Sequence, residues 1–231
     1  MVQAGGHRVL AGLLGATLLL GLGGCSSQRA SAKVNEDWLA RVPPAQMESV
    51  NQARITQNKA QDETTRARVS AEDAKRELSV AEKNEKAAKT SVDAQKKAVE
   101  AANKMGQADR IAQAQQAQQQ AEQAQQVAQA EVDFRKQVVK TRDAMEKMRA
   151  RELDVANAEL SKAEYQALVN SGDTRAEKLK AQDFDNALTK ARSEAALQQK
   201  EVEALLQQQR DAQAKWQQLD SQVKAYGGSG R

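Results

Sequence analysis

Residues 50–102 read VNQARITQNKAQDETTRARVSAEDAKRELSVAEKNEKAAKTSVDAQKKAVEAA, and small or apolar side chains recur through them in two columns with a seven-residue repeat. One column contains Val50, Gln57, Thr64, Ala71, Leu78, Glu85, Val92 and Val99. The other contains Ala53, Ala60, Ala67, Ala74, Ala81, Ala88, Gln95 and Ala102. A narrow stripe of this kind between charged borders is typical of a coiled-coil seam. We therefore predict one long helix here, whose alanines let a neighbouring helix approach closely.

Two further stretches carry apolar residues at helical spacing. The first begins in an Ala/Gln-rich tract and contains Ile111, Ala114, Ala117, Ala121, Ala124, Ala128, Phe134, Val138, Met145, Met148, Leu153, Ala156, Leu160 and Ala163. The second is the strongest line and contains Phe184, Leu188, Ala191, Ala195, Gln198, Val202, Leu205, Gln209, Ala212, Trp216, Leu219, Val223 and Tyr226. Both stretches predict helices. We expect Trp216 and Tyr226 to close the core near one tip, in preference to a docking role for Trp216.

Glycines and a capping pattern divide these stretches. Gly106 is expected to end the first helix in a left-handed conformation. A continuous helix through Gly106 is the alternative, at a cost of roughly 1 kcal/mol relative to alanine. Gly172 suits the end of the second helix, and Thr174 with Glu177 forms a capping-box pattern that would open the third.

The predicted fold class is all-α, a long-helix coiled coil. The predicted helices are 44–105, 107–170 and 174–226, in one helical domain followed by a flexible tail at 227–231. At 1.5 Å per residue, each helix would extend roughly 80–95 Å. Similar lengths joined by short turns favour an antiparallel three-helix rod. The alternative is a single long helix through Gly106, with the last helix folded against its distal half. In either arrangement, a homo-oligomer would fill a seam that polar residues weaken.

The first 25 residues have a separate character. Residues 1–8 form a short polar start that carries one fixed positive charge, on Arg8. Residues 9–22 are continuously apolar or small. This length matches the apolar core of a secretory signal and is short of the roughly 20 residues that cross a bilayer. The run ends at Leu22 and is followed by Gly23 and Gly24. Cys25, the single cysteine of the chain, comes next.

The sequence Leu22-Gly23-Gly24-Cys25 resembles the lipobox of bacterial lipoproteins. The resemblance covers only the signal segment, 1–24. It implies that a signal peptidase recognises Leu22, Gly23 and Gly24 and cleaves before Cys25. It also implies a diacylglycerol on the sulfur of Cys25 and an acyl chain on its amino group, which together would anchor the chain to a membrane.

The resemblance further implies a location. Ser26 after the cysteine favours the outer membrane of a Gram-negative cell, facing the periplasm, with the inner membrane as the less favoured site. Residues 25–43 would form a lipidated tether that ends at Pro43-Pro44. Residues 35–39 would make one helical turn whose Trp38 packs on the end of the bundle, or else the whole tether is a disordered spacer.

The composition of the chain argues against nucleic-acid binding, catalysis and metal binding. The chain has 35 Lys and Arg against 31 Asp and Glu, and removal of residues 1–24 takes away only Arg8, which leaves 34 against 31. This weak, dispersed charge argues against nucleic acid as a partner. His7, the single histidine, would be removed with the signal, and an acylated Cys25 has no free thiol. We therefore expect no catalytic residues, no metal site, no cofactor and no enzymatic activity.

Three functions compete on this basis. The first is a lipid-anchored spacer or scaffold of the cell envelope, which would contact peptidoglycan or another envelope protein. It resembles the murein lipoprotein only in its acylated cysteine and Ala-rich heptads; it is longer and ends in Gly230-Arg231, not in lysine, so covalent attachment is not supported. The second is a periplasmic chaperone-like or secretion-accessory module, using basic residues at 135–151. Enzymatic activity is the third function and has the weakest support.

Overall fold

The structure, a computed structural model, describes residues 32–227, with side chains to Ala225. Its helices are α1 (Glu36–Leu39), α2 (Glu48–Met105), α3 (Ala108–Asn170) and α4 (Ala181–Gly227), with 3-10 turns at Pro44–Gln46 and Thr174–Lys178. The described part contains no strand, and its long helices pack against one another. The all-α prediction is therefore confirmed. None of the described helices is long and apolar enough to cross a membrane.

The seam predicted for α2 is confirmed. Every position of the two seven-residue columns is buried or half-buried. Val50 and Ala71 have no exposed surface, and Ala81 and Val92 have almost none. Most of their immediate neighbours along the helix are exposed, because a helix that packs on one neighbour buries only a narrow stripe.

The prediction for α3 was only partly right. Ala124 was expected in the seam and is exposed. Several buried residues lie off the expected line: Ala130, Val132, Thr141, Ala144, Ala167 and Leu168. The reason is that α3 packs closely along both α2 and α4, whereas α2 and α4 make few close backbone contacts with each other. A helix between two neighbours buries a wider face than one apolar line describes.

The seam of α4 is confirmed, but its start is not where it was predicted. All predicted seam positions from Phe184 to Val223 are buried or half-buried. The helix begins at Ala181, and Thr174 opens a 3-10 turn. The capping box of Thr174 and Glu177 was wrong, because the carboxylate of the preceding Asp173 already accepts a hydrogen bond from the backbone N–H of Arg175 at 2.9 Å.

The breaks lie at the two predicted glycines. Gly106 has φ +70° and Gly172 has φ +69°. The backbone N–H of Gly106 donates to the carbonyls of Ala102 and Asn103 at 3.2 and 3.3 Å, which ends α2 at Met105. The alternative of a continuous helix through Gly106 is therefore excluded.

Replacing Gly106 by alanine is expected to lower the free energy of unfolding by about 1 kcal/mol, because only glycine adopts a positive φ without a steric penalty. No atom lies within 4 Å of the added Cβ, so the loss comes from the backbone conformation alone. Thermal unfolding followed by circular dichroism should give a midpoint lower by about 2–4 °C. An unchanged midpoint would contradict this interpretation of the turn.

The end of the fold next to the N-terminal segment carries a compact group of apolar residues, here called the basal cluster. It joins Val34, Leu39, Val42, Val50, Ala163, Ala167, Leu168, Ala176 and Phe184. Three of these precede the long helices, and Trp38 packs against the cluster, in agreement with one of the two alternatives for the tether. The segment 32–43, predicted as part of a tether, is therefore part of the fold. Its helical turn α1 is capped by Asn35, whose side chain accepts a hydrogen bond from the N–H of Asp37 at 3.0 Å.

Candidate functional site

The predicted lipidation site lies outside the described residues. This applies to Cys25, to the recognition residues Leu22, Gly23 and Gly24, and to His7. The last residues of the predicted tail, 228–231, and the side chain of Tyr226 also lie outside them. These assignments stay predictions.

An arginine fastens the N-terminal segment to the basal cluster. The guanidinium of Arg175 lies 5.4 Å from the ring centroid of Trp38, and its Nη2 donates to the carbonyl of Trp38 at 3.4 Å. Its Nε donates to both carboxylate oxygens of Asp173, at 2.8 and 3.1 Å. These bonds, together with the backbone N–H of Arg175, lower the pKa of Asp173 to about 2. The pair therefore stays ionised at neutral pH and holds the Arg175 side chain over Trp38.

One carboxylate is buried near the basal cluster. Glu164 is only 8% exposed, and its closest cation is Arg54, whose Nη2 lies 3.8 Å from Oε1. Burial raises the pKa of Glu164 above its usual value, although Arg54 acts against this; Glu36 adds to the increase. Nothing in the sequence signals this residue, because Glu164 is one of many glutamates on long polar helices.

Replacing Glu164 by glutamine is expected to raise the thermal midpoint at pH 7 and to leave it nearly unchanged near pH 4. The folded chain binds the Glu164 proton more tightly than the unfolded chain does. This contribution to stability is present at pH values below the unfolded pKa and is lost as pH rises through the folded pKa. Glutamine has nearly the same shape as glutamate but no charge, so its burial does not become less favourable as the pH rises. Glu82→Gln, at an exposed position, is the control and should change the midpoint at neither pH.

The basic stretch at 135–151 has seven cations, of which three form ion pairs between helices, while Lys136, Lys140, Arg142 and Lys147 are exposed. Three of its arginines pair with carboxylates of the flanking helices: Arg135 with Glu77 at 2.6 Å, Arg149 with Glu63 at 3.0 Å and Arg151 with Glu194 at 3.3 Å. Lys75 of α2 binds Asp143 of the same stretch at 3.0 Å, and this hydrogen bond raises the pKa of Lys75. The three paired arginines therefore link α3 to its neighbouring helices, and the exposed cations alternate with carboxylates such as Asp133, as on a solvated helical face.

A second apolar cluster joins all three long helices, near the middle of α2 and α3 and about three quarters of the way along α4. Ala74 of α2, Phe134 and Val138 of α3, and Trp216 of α4 belong to it. The rings of Phe134 and Trp216 stack with centroids 5.4 Å apart. Trp216 therefore packs in the core as predicted, although near the middle of α2 and α3 and not at a tip.

Two open clefts lie beside α3, each lined by α2 and α4. One, of about 440 Å³, has Ala60, Ala156 and Ala195 on its walls beside charged side chains such as Arg192. The other, of about 550 Å³, is lined by Val92, Ala130, Leu219 and several polar or charged residues. Both mix small apolar patches with charges. Among the described residues, no group of three or more His, Cys, Asp or Glu side chains could hold a metal ion.

No protein-family model matches the chain, and neither a curated protein nor a solved structure matches it. Its function is therefore inferred from its own residues and their geometry.

Proposed function

We propose that α2, α3 and α4 form an antiparallel three-helix rod with α3 in the middle. Contacts from α2 to α3 join residues whose numbers change in opposite directions: Arg54 with Glu164, Gln57 with Asn157, Glu63 with Arg149, and Glu77 with Arg135. Contacts from α3 to α4 follow the same rule: Lys162 with Asp185, Glu159 with Arg192, Arg151 with Glu194, and Phe134 with Trp216. An inverse order of contacts is what antiparallel neighbours require.

We further propose that this rod is a lipid-anchored spacer or scaffold of a bacterial cell envelope, facing the periplasm from the outer membrane. The observation that carries the proposal is the position of the basal cluster. It packs residues 34–42, which follow the lipobox, against α3 near its C-terminal end. The Gly106 turn lies at the other end of α3, about 95 Å away along a helix of 63 residues. An acyl anchor on Cys25 would hold one end, and the turn would reach away from the membrane.

The chaperone-like alternative has less support. Such a module needs an accessible apolar surface for its clients. The exposed large apolar side chains of the described part are scattered along the rod: Ile55, Val69, Val80, Met105, Val169 and Leu197. Three of the seven cations of its basic stretch are held in the ion pairs described above. An enzymatic role likewise has no described group of residues to support it, and we propose none.

The anchor is tested directly by replacing Cys25 with serine. We expect the wild-type chain to incorporate radiolabelled palmitate in cells and to remain with the membrane fraction after washing with salt. Cys25→Ser should lose the label, because the sulfur that would carry the diacylglycerol is absent. Ser26→Ala is the matched control and should keep both properties. Retention of label by Cys25→Ser would refute the proposal.

The contact made by the rod is tested with a photo-crosslinking amino acid at Lys200, which is exposed on α4. A crosslinked smear that collapses on digestion with muramidase supports a spacer in contact with peptidoglycan. Discrete bands that resist muramidase support a scaffold bound to an envelope protein. Crosslinks to a broad set of unfolded secreted proteins would overturn the spacer in favour of the chaperone-like function.

A further inference from the structure

The short segment 34–42, here called the strap, packs on the basal cluster and precedes the long helices. Its polar contact with the rest of the chain includes the bond from the guanidinium of Arg175 to the carbonyl of Trp38 at 3.4 Å. Its buried apolar side chains are Val34, Leu39 and Val42. A short segment that rests on a few side chains opens locally at a lower free energy than long helices that pack along their whole length.

Glu164 lies on the side of α3 that the strap covers. It is one helical turn before Leu168, so the two side chains lie on one face of α3. Leu168 belongs to the basal cluster together with Leu39 and Val42 of the strap. The helical turn α1, which is part of the strap, also packs on α3. Among the described residues, Glu164 is the one ionisable side chain that is buried, with 8% of its surface exposed.

Two charged groups face Glu164 from the neighbouring elements, and they act in opposite directions. From α2, Nη2 of Arg54 lies 3.8 Å from Oε1 of Glu164. From α1, the carboxylate of Glu36 opposes ionisation of Glu164. Burial raises the pKa of Glu164 most, Arg54 lowers it, and Glu36 raises it further. An ionised Glu164 is therefore attracted to α2 and repelled by the strap.

The contact of Arg175 with the strap does not change its charge near neutral pH. Its partner Asp173 has a pKa of about 2, so this pair stays ionised between pH 5 and pH 8. The single histidine of the chain, His7, lies outside the described residues. A change in the packing of the strap within this range of pH therefore points to Glu164.

We propose that protonation of Glu164 controls whether the strap packs on α3. A protonated Glu164 is buried under the strap at little cost, whereas an ionised Glu164 favours the open strap, in which water reaches the carboxylate and Glu36 moves away. The closed state binds the proton more tightly than the open state does. Closure is therefore most favourable at pH values below the pKa of the open state, and this advantage is lost as pH rises through the pKa of the closed state.

The expected consequence is a change in the reach of the protein. Fully extended, an open strap spans up to about 30 Å, which would be added between the anchor on Cys25 and the long helices. The long helices would then lie further from the membrane at higher pH. This consequence rests on the proposed function, whereas the control of the strap by Glu164 does not.

Hydrogen exchange followed by mass spectrometry, on the full chain purified in detergent, tests the control by Glu164. The probes are the backbone amides of Trp38 and Val42, which donate within the strap at 2.9 and 3.0 Å. At each pH the exchange rate of the wild type is divided by that of Glu164→Gln, so that the intrinsic effect of pH on exchange cancels. We expect this ratio to rise several-fold from pH 5 to pH 8, because ionised Glu164 opens the strap. Glu48→Gln, exposed at the same end, is the matched control and should give a constant ratio.

A second variant tests the repulsion between the strap and Glu164. At pH 8, Glu36→Gln should slow the exchange of the strap in the wild type and have little effect in Glu164→Gln. Asp37→Asn, at the next position of α1, should have the same effect in both backgrounds. A wild-type ratio that stays the same at both pH values would overturn the proposal. So would exchange of the strap at the rate of the amides around Val202 of α4, since the strap would then open only with the whole fold.

These measurements do not depend on acylation. Failure of the control by Glu164 is therefore distinguishable from failure of the proposed anchor, which the palmitate label on Cys25 reports.

Discussion

Replacing Leu168 by alanine is expected to lower the free energy of unfolding by about 3 kcal/mol, within the range measured for large-to-small substitutions in well-packed cores. Leu168 has no exposed surface and belongs to the basal cluster, which holds Leu39 and Val42 against α3. Alanine leaves a cavity where segments from distant parts of the chain meet. Thermal denaturation should show a midpoint lower by about 6–12 °C.

The same variant should release the N-terminal segment before the long helices unfold. Limited digestion with trypsin is expected to cleave after Arg41 faster in Leu168→Ala than in the wild type, because the cavity weakens the packing of Val42. Leu197→Ala is the control, since Leu197 is 64% exposed and its truncation removes little buried area. Equal loss of stability in the two variants would contradict the basal cluster as the support of this segment.

Replacing Phe134 by alanine is expected to lower the free energy of unfolding by about 3 kcal/mol and to weaken the packing of α4 on α3. Phe134 is 7% exposed and stacks on Trp216. Trp216→Ala should also destabilise the chain. The loss in the double variant should be smaller than the sum of the two single losses by about 1 kcal/mol, which is the coupling expected of a stacked aromatic pair. Chemical denaturation of the four proteins measures this difference.

A matched pair tests whether the coupling is local. Phe184→Ala removes a buried aromatic ring of similar size from the basal cluster, where Phe184 stacks on Tyr165 at 4.8 Å. Combined with Trp216→Ala, its effect should add within about 0.5 kcal/mol, because distant sites act independently. Coupling of the same size in both double variants would mean that the three long helices respond as one unit, and the stacked pair would then have no special role.

The seams of α2 and α4 could be predicted because each is a single narrow line. A line such as Val50, Ala71 and Val92 appears directly in the heptad columns, and a helix that packs mainly on one neighbour buries little else. The central helix α3 could not be predicted as well. Ala124 has the right spacing but lies exposed, while Ala144 and Leu168 are buried against contacts that the apolar line alone does not indicate.

The functional residues divide in the same way. The lipobox ending in Cys25 is a local pattern that can be recognised without a structure, and it stays a prediction here. The residues near the basal cluster have no local sequence pattern that marks them. Arg175 meets Trp38 across 137 positions of sequence, and Glu164 looks like any other glutamate of a polar helix.

The amino-acid sequence by itself therefore determined the helical class and the two turns. A helix is held by hydrogen bonds between residues four apart, and a positive φ is most easily adopted by glycine, so both depend on neighbours along the chain. The tertiary structure decided that α3 packs on both α2 and α4, and that residues 34–42 pack against α3. These features depend on contacts between residues far apart in sequence, whose strength no local pattern records.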